Sequence, residues 1–496
     1  PTMLPQLPTG TPTEAFIDSR FVPASDGATV STVNPATGEH LADVAACGPQ
    51  DVDRAVQAAR SAFESGVWSR IHPNERRTVL MRLVELLEEN AEDLARLEAL
   101  DAGKPITDCR EFDLPATIEA VRWYAEAADK FFGKTTPVGG EAMGMIVHEP
   151  LGVVGAVLPW NFPLSMLTWK LGPALASGCS VVVKPPELAS LTTLRFAELA
   201  AEAGVPNGVL NVVPGLGHVA GQALGLHPDV DLITFTGSNE VGRRFLEYSA
   251  QSNLKKVVLE LGGKAPQVVL ADNRDRLAEV AADLAGAAFG NNGQNCTAGS
   301  RILVDRSIMD EFVAELVKVT EEQWPVGDPM DEGTVLGSLI EESALTRCTT
   351  YVDGAVADGA VVATGGRRLR EDSGGWFYAP TVVTNVREDM PIAREEIFGP
   401  VTVVIPFDGV EDALRIANDT DFGLAANVWG RDLDDVLFLA RRIKAGTVSV
   451  NGYSEGDIST PFGGYRQSGF GGRDNGMEAF EQYTETKTIW ISLQRG

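Results

Sequence analysis

Between Gly152 and Leu259 short β-branched runs alternate with stretches of helical texture, and few architectures accept that pattern. The runs are GVVGAVL, SVVVK, GVLNVV, VDLITF and KVVLEL. Each is apolar on both faces, as a strand must be when helices cover it on both sides, and the intervening stretches of about 10 to 18 residues are long enough for a crossover helix. After Gly262 the alternation restarts with QVVLAD, a helix expected from Asp275 to Phe289, the run RILVD and a helix after Ser307. Two α/β domains in tandem, each an open and mostly parallel sheet, are predicted.

Upstream, Val79, Leu80, Leu83, Leu86, Leu87, Leu94 and Leu97 recur at threes and fours. They predict one long amphipathic helix from Asn74, placed to cap it, to Ala102, ended by Gly103 and Pro105. A second helix is expected from Pro115 to about Lys130. Pro137, Gly139 and Gly140 then break the pattern before MGMIVHEP, Met143 to Pro150, which reads as a strand. TIWISL, Thr488 to Leu493, is another apolar alternating segment in need of a sheet, and MGMIVHEP is its candidate neighbour. An apolar strand without a partner of its own invites pairing between chains, so a dimer or tetramer is expected.

Charge narrows the function classes. Lys and Arg number 41 against 69 Asp and Glu, for a formal charge of −28. Nucleic-acid binding needs a basic footprint and is excluded. Five cysteines, Cys47, Cys109, Cys179, Cys296 and Cys348, lie far apart with no CxxC and no Cys/His group at zinc spacing. Free thiols in a cytoplasmic chain and no metal site are the expectation. Pro1 to Thr13 shows neither a basic nor an apolar signal region, and no apolar run approaches the roughly 18 residues of a membrane helix.

Several short motifs can carry chemistry. GLGHVA, Gly215 to Ala220, matches a dinucleotide fingerprint after a strand, with Asp231 near the expected acidic position. The rival phosphate site is FTGSNEVG, where Gly237 and Ser238 close a strand and open a helix whose free N–H groups favour an anion. Gly242 would allow that helix a close approach. Cys296, in GNNGQNCTAGS, is flanked by glycines and small polar residues, a setting suited to an accessible nucleophilic thiol. Glu260 ends an apolar strand before Gly262 and Gly263, where burial would raise its pKa toward the range of a general base. Asn161, in LPWNFP, is a side-chain amide on a stiff backbone and a suitable donor to an oxyanion.

PWNFP (159–163), KPPE (184–187), FTGS (235–238), LELGGK (259–264), GQNCTAGSR (293–301), EEIFGP (395–400) and PFGGYRQSG (461–469) together resemble the aldehyde dehydrogenase superfamily, in its order. Softer features precede them: NPATGE (34–39), DAGKP (101–105) and WYAEAADK (123–130). The resemblance implies a modified Rossmann NAD-binding domain from 1–130 and 151–260, a catalytic domain from 261–465 and an oligomerisation arm from 131–150 and 480–496. It also favours FTGS over GLGHVA, because this family lacks the usual glycine loop.

The resemblance further implies that Cys296 attacks an aldehyde to give a thiohemiacetal, that Asn161 and the Cys296 N–H hold the oxyanion, and that hydride passes to nicotinamide. Glu260 would then activate water against the thioester. Lys184 and Glu187 would hold the adenosine ribose, Gly237 and Ser238 the pyrophosphate, and Glu396 the nicotinamide ribose. Phe398 and Trp160 would complete the cofactor site. A Glu187 carboxylate accepts from a free 2′-OH and repels a 2′-phosphate, so NAD is expected over NADP, which would bind more weakly. Departures are Asn295 before the nucleophile, Pro186 in KPPE, and Met477 where some members have a proton-relay Glu.

WYAEAADK, GYSEGDISTPFGG (452–464) and YTETKTIWISL (483–493) look most like the γ-glutamyl-γ-aminobutyraldehyde dehydrogenase branch. That implies ω-amino or broad-range aldehydes as substrates. Phe162, Trp169 and Phe462 would wall the substrate tunnel, Gly290 and Gly456 would leave it wide, and Asp113, Glu455 and Asp457 would meet a cationic tail at its mouth. The competing readings are a CoA-acylating semialdehyde dehydrogenase, against which Glu260 argues, and a non-enzymatic structural protein on the same scaffold. A thiol hydrolase lacks an evident partner among the five histidines.

Overall fold

The computed structural model describes residues 6–495. The ends of the expected cofactor domain and arm, residues 1–5 and 496, lie outside the described residues. Among the described residues, two large open sheets and a three-stranded one organise the chain, with two further two-stranded ribbons. The first runs Arg20–Val22, Ala15–Ile17, Leu210–Val212, Ser180–Lys184, Val153–Val157, Leu232–Thr236, Lys256–Glu260 and Gly469–Phe470. Its five inner strands are parallel, and its edges antiparallel. Val153–Val157, Ser180–Lys184 and Leu232–Thr236 are buried at nearly every position, which is why they read as unbroken apolar runs.

The strand order turns round beside Val153–Val157. From there the chain crosses first to Ser180–Lys184 and Leu210–Val212 on one side, then to Leu232–Thr236 and Lys256–Glu260 on the other. Loops leaving the carboxyl ends of Val153–Val157 and Leu232–Thr236 therefore diverge, and the crevice between them is the place where open sheets of this kind hold ligands. The second sheet runs Val361–Thr364, Thr381–Thr384, Val401–Phe407, Arg301–Asp305, Pro266–Val269, Ala425–Trp429 and Thr447–Val450, parallel except at its first strand. The tandem pair of α/β sheets expected from the alternation is present.

The small sheet pairs Thr484–Ser492 antiparallel with Ala142–Pro150 over nine residues, from Thr484 opposite Pro150 to Ser492 opposite Ala142, and Lys134–Thr136 joins it. MGMIVHEP and TIWISL are thus neighbours. Along this arm Met143, Ile489, Trp490 and Ile491 stay exposed.

Three helix boundaries differ from the periodicity. The stretch from Asn74 to Ala102 is two helices, Pro73–Glu89 and Ala91–Ala102. Asn90 divides them because its Nδ2 donates to the Leu86 carbonyl at 2.8 Å, competing with the backbone, while its Oδ1 accepts from Arg195. The cap is His72, whose Nδ1 accepts from the Asn74 N–H, with Pro73 at the first helical position. The second upstream helix spans Leu114–Ala127, and the helix expected from Asp275 begins at Leu277 after a tighter turn over Ala271–Arg276.

Candidate active site

A cavity of about 700 Å³ opens at the carboxyl ends of the first sheet and reaches the second sheet's loops. Asn161, Glu260 and Cys296 all line it. Asn161 sits in the rigid turn between Val153–Val157 and the helix Pro163–Ser177, almost fully buried. Its Nδ2 donates to the Gln294 carbonyl at 3.0 Å, and its own carbonyl accepts from Lys104 Nζ and Asn291 Nδ2, each at 3.1 Å. The amide is therefore held from both sides and aimed at the loop of the thiol.

That loop follows the helix Leu277–Phe289 and turns sharply, with Asn291, Asn292 and Gly293 in the left-handed region. Cys296 emerges half-buried, and the other four cysteines are buried. The thiol is pushed well above its ordinary value, by burial first and then by the negative fields of Glu455, Glu396 and Glu260. A resting thiol rather than thiolate follows.

Glu260 closes the strand Lys256–Glu260 and is 3% exposed, with neither carboxylate oxygen hydrogen-bonded. Burial, then the charge of Asp474, raises it well above the usual carboxylate range, partly offset by Lys170 and Arg473. Lys170 and Asp474 form a buried pair at 3.4 Å beside it. In its ionised form, a carboxylate whose oxygens are not already bonded is free to take a proton from a reacting molecule.

At the other end of the cavity Lys184 Nζ lies 2.6 Å from Glu187 Oε2, and Glu187 Oε1 accepts from the Gly217 N–H at 3.4 Å. Burial alone would raise Glu187, but the charge and hydrogen bond of Lys184 outweigh it and hold the acid below its ordinary value. Ser238 caps the helix Asn239–Gln251 through the Val241 N–H, and Thr236 Oγ1 is buried without a partner. Glu396 Oε1 accepts from the Gly263 N–H at 3.0 Å, and burial raises this acid to about 7. Phe398 packs edge-on against Trp160 at 5.4 Å. Lys184, Glu187, Gly237, Ser238, Glu396, Phe398 and Trp160 all line the cavity. A carboxylate for ribose hydroxyls, a helix start for phosphate, an unsatisfied hydroxyl and an aromatic pair form a donor set that fits a dinucleotide.

GLGHVA does not form a phosphate loop. It folds into a wide turn, Gly217–Gly221, ahead of a short helix. Of this motif, which the sequence offered as a phosphate loop, Gly217 alone reaches the cavity, beside Glu187. Asp231 sits at the opposite end of its strand, bound to Arg60 at 2.6 Å and to the Val153 N–H at 2.8 Å.

At the substrate end Phe162, Trp169 and Phe462 form an aromatic wall, the last two edge-on at 5.0 Å. Two expectations are corrected. Asp113 lines the cavity but is buried and committed to Lys104 at 2.7 Å, so it is no free acid at a mouth. Asp457 is exposed, lies off the cavity wall and accepts from the Ser459 N–H and hydroxyl, stabilising its own turn. Gly290 and Gly456 do not line the cavity either. Of the mouth acids on that loop, it is Glu455 that reaches the site. Lys104 and Asp474 were not anticipated, because each becomes relevant only through a long-range contact.

Comparison with known proteins places the chain in a family. The sequence profile of the aldehyde dehydrogenase family matches residues 21–489. The chain is 52% identical to an aminoacetaldehyde dehydrogenase of Pseudomonas aeruginosa, covering 97% of this chain and 96% of that one. It is 46% identical to an NADP/NAD-dependent aldehyde dehydrogenase of Escherichia coli, over 97% and 95% of the two chains. The crystal structure of γ-glutamyl-γ-aminobutyraldehyde dehydrogenase from Burkholderia cenocepacia superposes with a TM-score of 0.94 at 48% identity, over 97% of each chain.

Proposed function

The chain belongs to the aldehyde dehydrogenase family, and from that premise we propose that it oxidises an aldehyde to the carboxylic acid with NAD, through a thioester on Cys296 that water resolves. The observation that carries this reading is Glu260, a buried carboxylate with no hydrogen-bond partner on the wall it shares with Cys296 and Asn161.

Lys184 and Glu187 would hold the adenosine ribose, Ser238 and Gly237 the pyrophosphate, and Glu396, with Phe398 and Trp160 alongside, the nicotinamide end. Bound NAD supplies the hydride acceptor. Cys296 Sγ gives up its thiol proton to solvent water and attacks the aldehyde carbon, and the negative oxygen that forms meets Asn161 Nδ2 and the Cys296 N–H. Loss of hydride leaves a thioester. Glu260 takes a proton from water as that water adds to the thioester carbonyl, and the Cys296 thiolate departs from the acid formed and takes that proton back from Glu260. The raised pKa of Glu260 suits it to accept that proton.

The same reading assigns residues 1–130 and 151–260 to cofactor binding, 261–465 to catalysis and 131–150 with 480–496 to assembly into a dimer or tetramer. Five free cysteines suit the reducing cytoplasm. Among the described residues no helix is long and apolar enough to cross a membrane. Amino-bearing aldehydes are the favoured substrate class, given the names carried by the relatives at 52% and 48% identity.

Mixing the protein with NAD and a panel of aldehydes, with and without CoA, tests the reading. NADH and free acid in equal amounts without CoA are expected. NADH that appears only with CoA, together with acyl-CoA, would overturn water as the acceptor, and no NADH with any aldehyde would overturn the activity.

A further inference from the structure

Cys296 stands in a turn whose closing bond comes from a side chain. Oδ1 of Asn295, the residue before the thiol, accepts from the N–H of Thr297, the residue after it, at 3.1 Å, so a short polar ring spans the nucleophile. The Asn295 carbonyl accepts from the Ala298 N–H at 3.0 Å. These two bonds take up the N–H groups that follow Cys296, and among the described residues the Cys296 N–H has no partner of its own. The ring is held from outside as well. Asn295 Nδ2 donates to the Tyr453 hydroxyl and to Glu455 Oε1, each at 3.4 Å, and the buried Thr297 hydroxyl donates to the same carboxylate oxygen. The Tyr453 hydroxyl lies 3.1 Å from that oxygen and within hydrogen-bond reach of Thr297 Oγ1. Tyr453 and Glu455 follow the strand Thr447–Val450 closely, so the clamp is anchored next to a rigid element.

Thioester chemistry asks two things of this turn at once. The sulfur must meet the carbonyl carbon, and the N–H of the same residue must meet the carbonyl oxygen, each within a fraction of an ångström. We propose that Asn295 is a positioning residue for the covalent step: its side chain closes the turn so that Cys296 Sγ and the Cys296 N–H face one carbonyl group together. Asn295 Oδ1 is 3.9 Å from Sγ, near enough to limit where the thiol can swing. An apolar side chain at 295 could not accept the Thr297 N–H, and the turn would be left to the backbone alone. The inference rests on the aldehyde-oxidation reading and names what keeps its nucleophile in register.

The experiment follows wild type, Asn295→Leu and Asn295→Ser with the aldehyde that the wild type oxidises best. Stopped-flow absorbance gives the rate of the first hydride transfer, calorimetric titration gives NAD affinity, and iodoacetamide gives the rate of Cys296 alkylation. Alkylation forms no negative oxygen, so it needs the sulfur without the N–H. Asn295→Leu should lose about a hundredfold in the first hydride transfer while NAD affinity and alkylation stay within about threefold of wild type. Asn295→Ser, whose hydroxyl can close the same turn, should be about tenfold faster than Asn295→Leu. A hydride-transfer rate in Asn295→Leu within about threefold of wild type would overturn the proposal. So would an equal loss of alkylation or NAD binding, which marks general disorder of the site, or a serine variant no faster than the leucine one. Should Asn295→Leu fail to fold, Tyr453→Phe decides. Loss of the hydroxyl that holds Asn295 Nδ2 should slow hydride transfer about tenfold with NAD affinity kept, and an unchanged rate would overturn the proposal. Wild-type protein that forms no NADH with any aldehyde would instead overturn the aldehyde-oxidation reading, and this inference with it.

Discussion

A β-carbon built on Gly263 would overlap the carbonyl oxygen of Cys296, so the loop after Glu260 and the loop of the thiol touch backbone to backbone. Any side chain at 263 must displace one of the two loops. Gly263→Ala is expected to fold, with an unchanged circular dichroism spectrum, and to lose about a hundredfold in kcat, the scale associated with displacing a reacting group by about an ångström. Full activity would show that the contact is slack.

Cys296→Ala should abolish NADH formation while leaving NAD binding intact, because the residues assigned to the cofactor are separate from the thiol. Calorimetric titration with NAD and an absorbance assay read the two properties independently. Turnover above about a hundredth of wild type would remove Cys296 from the mechanism.

Glu260→Gln should permit one hydride transfer and then stall. Stopped-flow absorbance is expected to show a burst near one NADH per site followed by slow turnover; equal loss of both phases would place Glu260 elsewhere. The pH profile carries a sign. With its pKa raised, Glu260 is protonated and ineffective as a base at low pH, and gains its base form as pH rises through the elevated value. Steady-state turnover limited by acyl hydrolysis should therefore climb with pH in wild type, and the climb should be absent in Glu260→Gln.

Glu187→Gln should weaken discrimination against NADP. In the native chain the Lys184 ammonium is engaged by Glu187 at 2.6 Å, and the carboxylate repels a 2′-phosphate. Removing that charge frees Lys184 for the phosphate. The ratio of kcat/KM for the two cofactors measures it, and a wild type that prefers NADP would show that Glu187 does not read the ribose.

Deleting residues 488–496 should yield monomers or aggregates by sedimentation velocity. The truncation removes Ile489, Trp490 and Ile491, which are exposed on the arm, and strips most of the partner from Ala142–Pro150. A stable and active monomer would refute an assembly role.

The alternation of strands and helices was legible because burial on both faces forces unbroken apolar runs, and the motifs at Asn161, Glu260 and Cys296 were legible because each sits where a strand or helix ends in a constrained turn. What escaped was set by side chains meeting across the fold. Asn90 divides a helix through a hydrogen bond that periodicity does not register. Asp113 and Asp457 looked equivalent to Glu455 as surface acids, but Lys104 claims the first and a local turn the second. Gly217 reaches the cavity, where its N–H donates to Glu187, a contact that no local pattern records.

After its last strand in the second sheet the chain returns to the first, where Gly469–Phe470 lies antiparallel to Leu259–Glu260 and the Leu261 N–H bonds to the Ser468 carbonyl. The acid proposed to activate water against the thioester is thus clamped by a segment more than two hundred residues downstream. Cutting the polypeptide at 261 would not release an independent cofactor-binding module; it would leave the edge of its sheet bare beside Glu260. Synthesis must pass residue 470 before that edge is covered, so the site is completed only then, by the same stretch of chain that leads on into the arm.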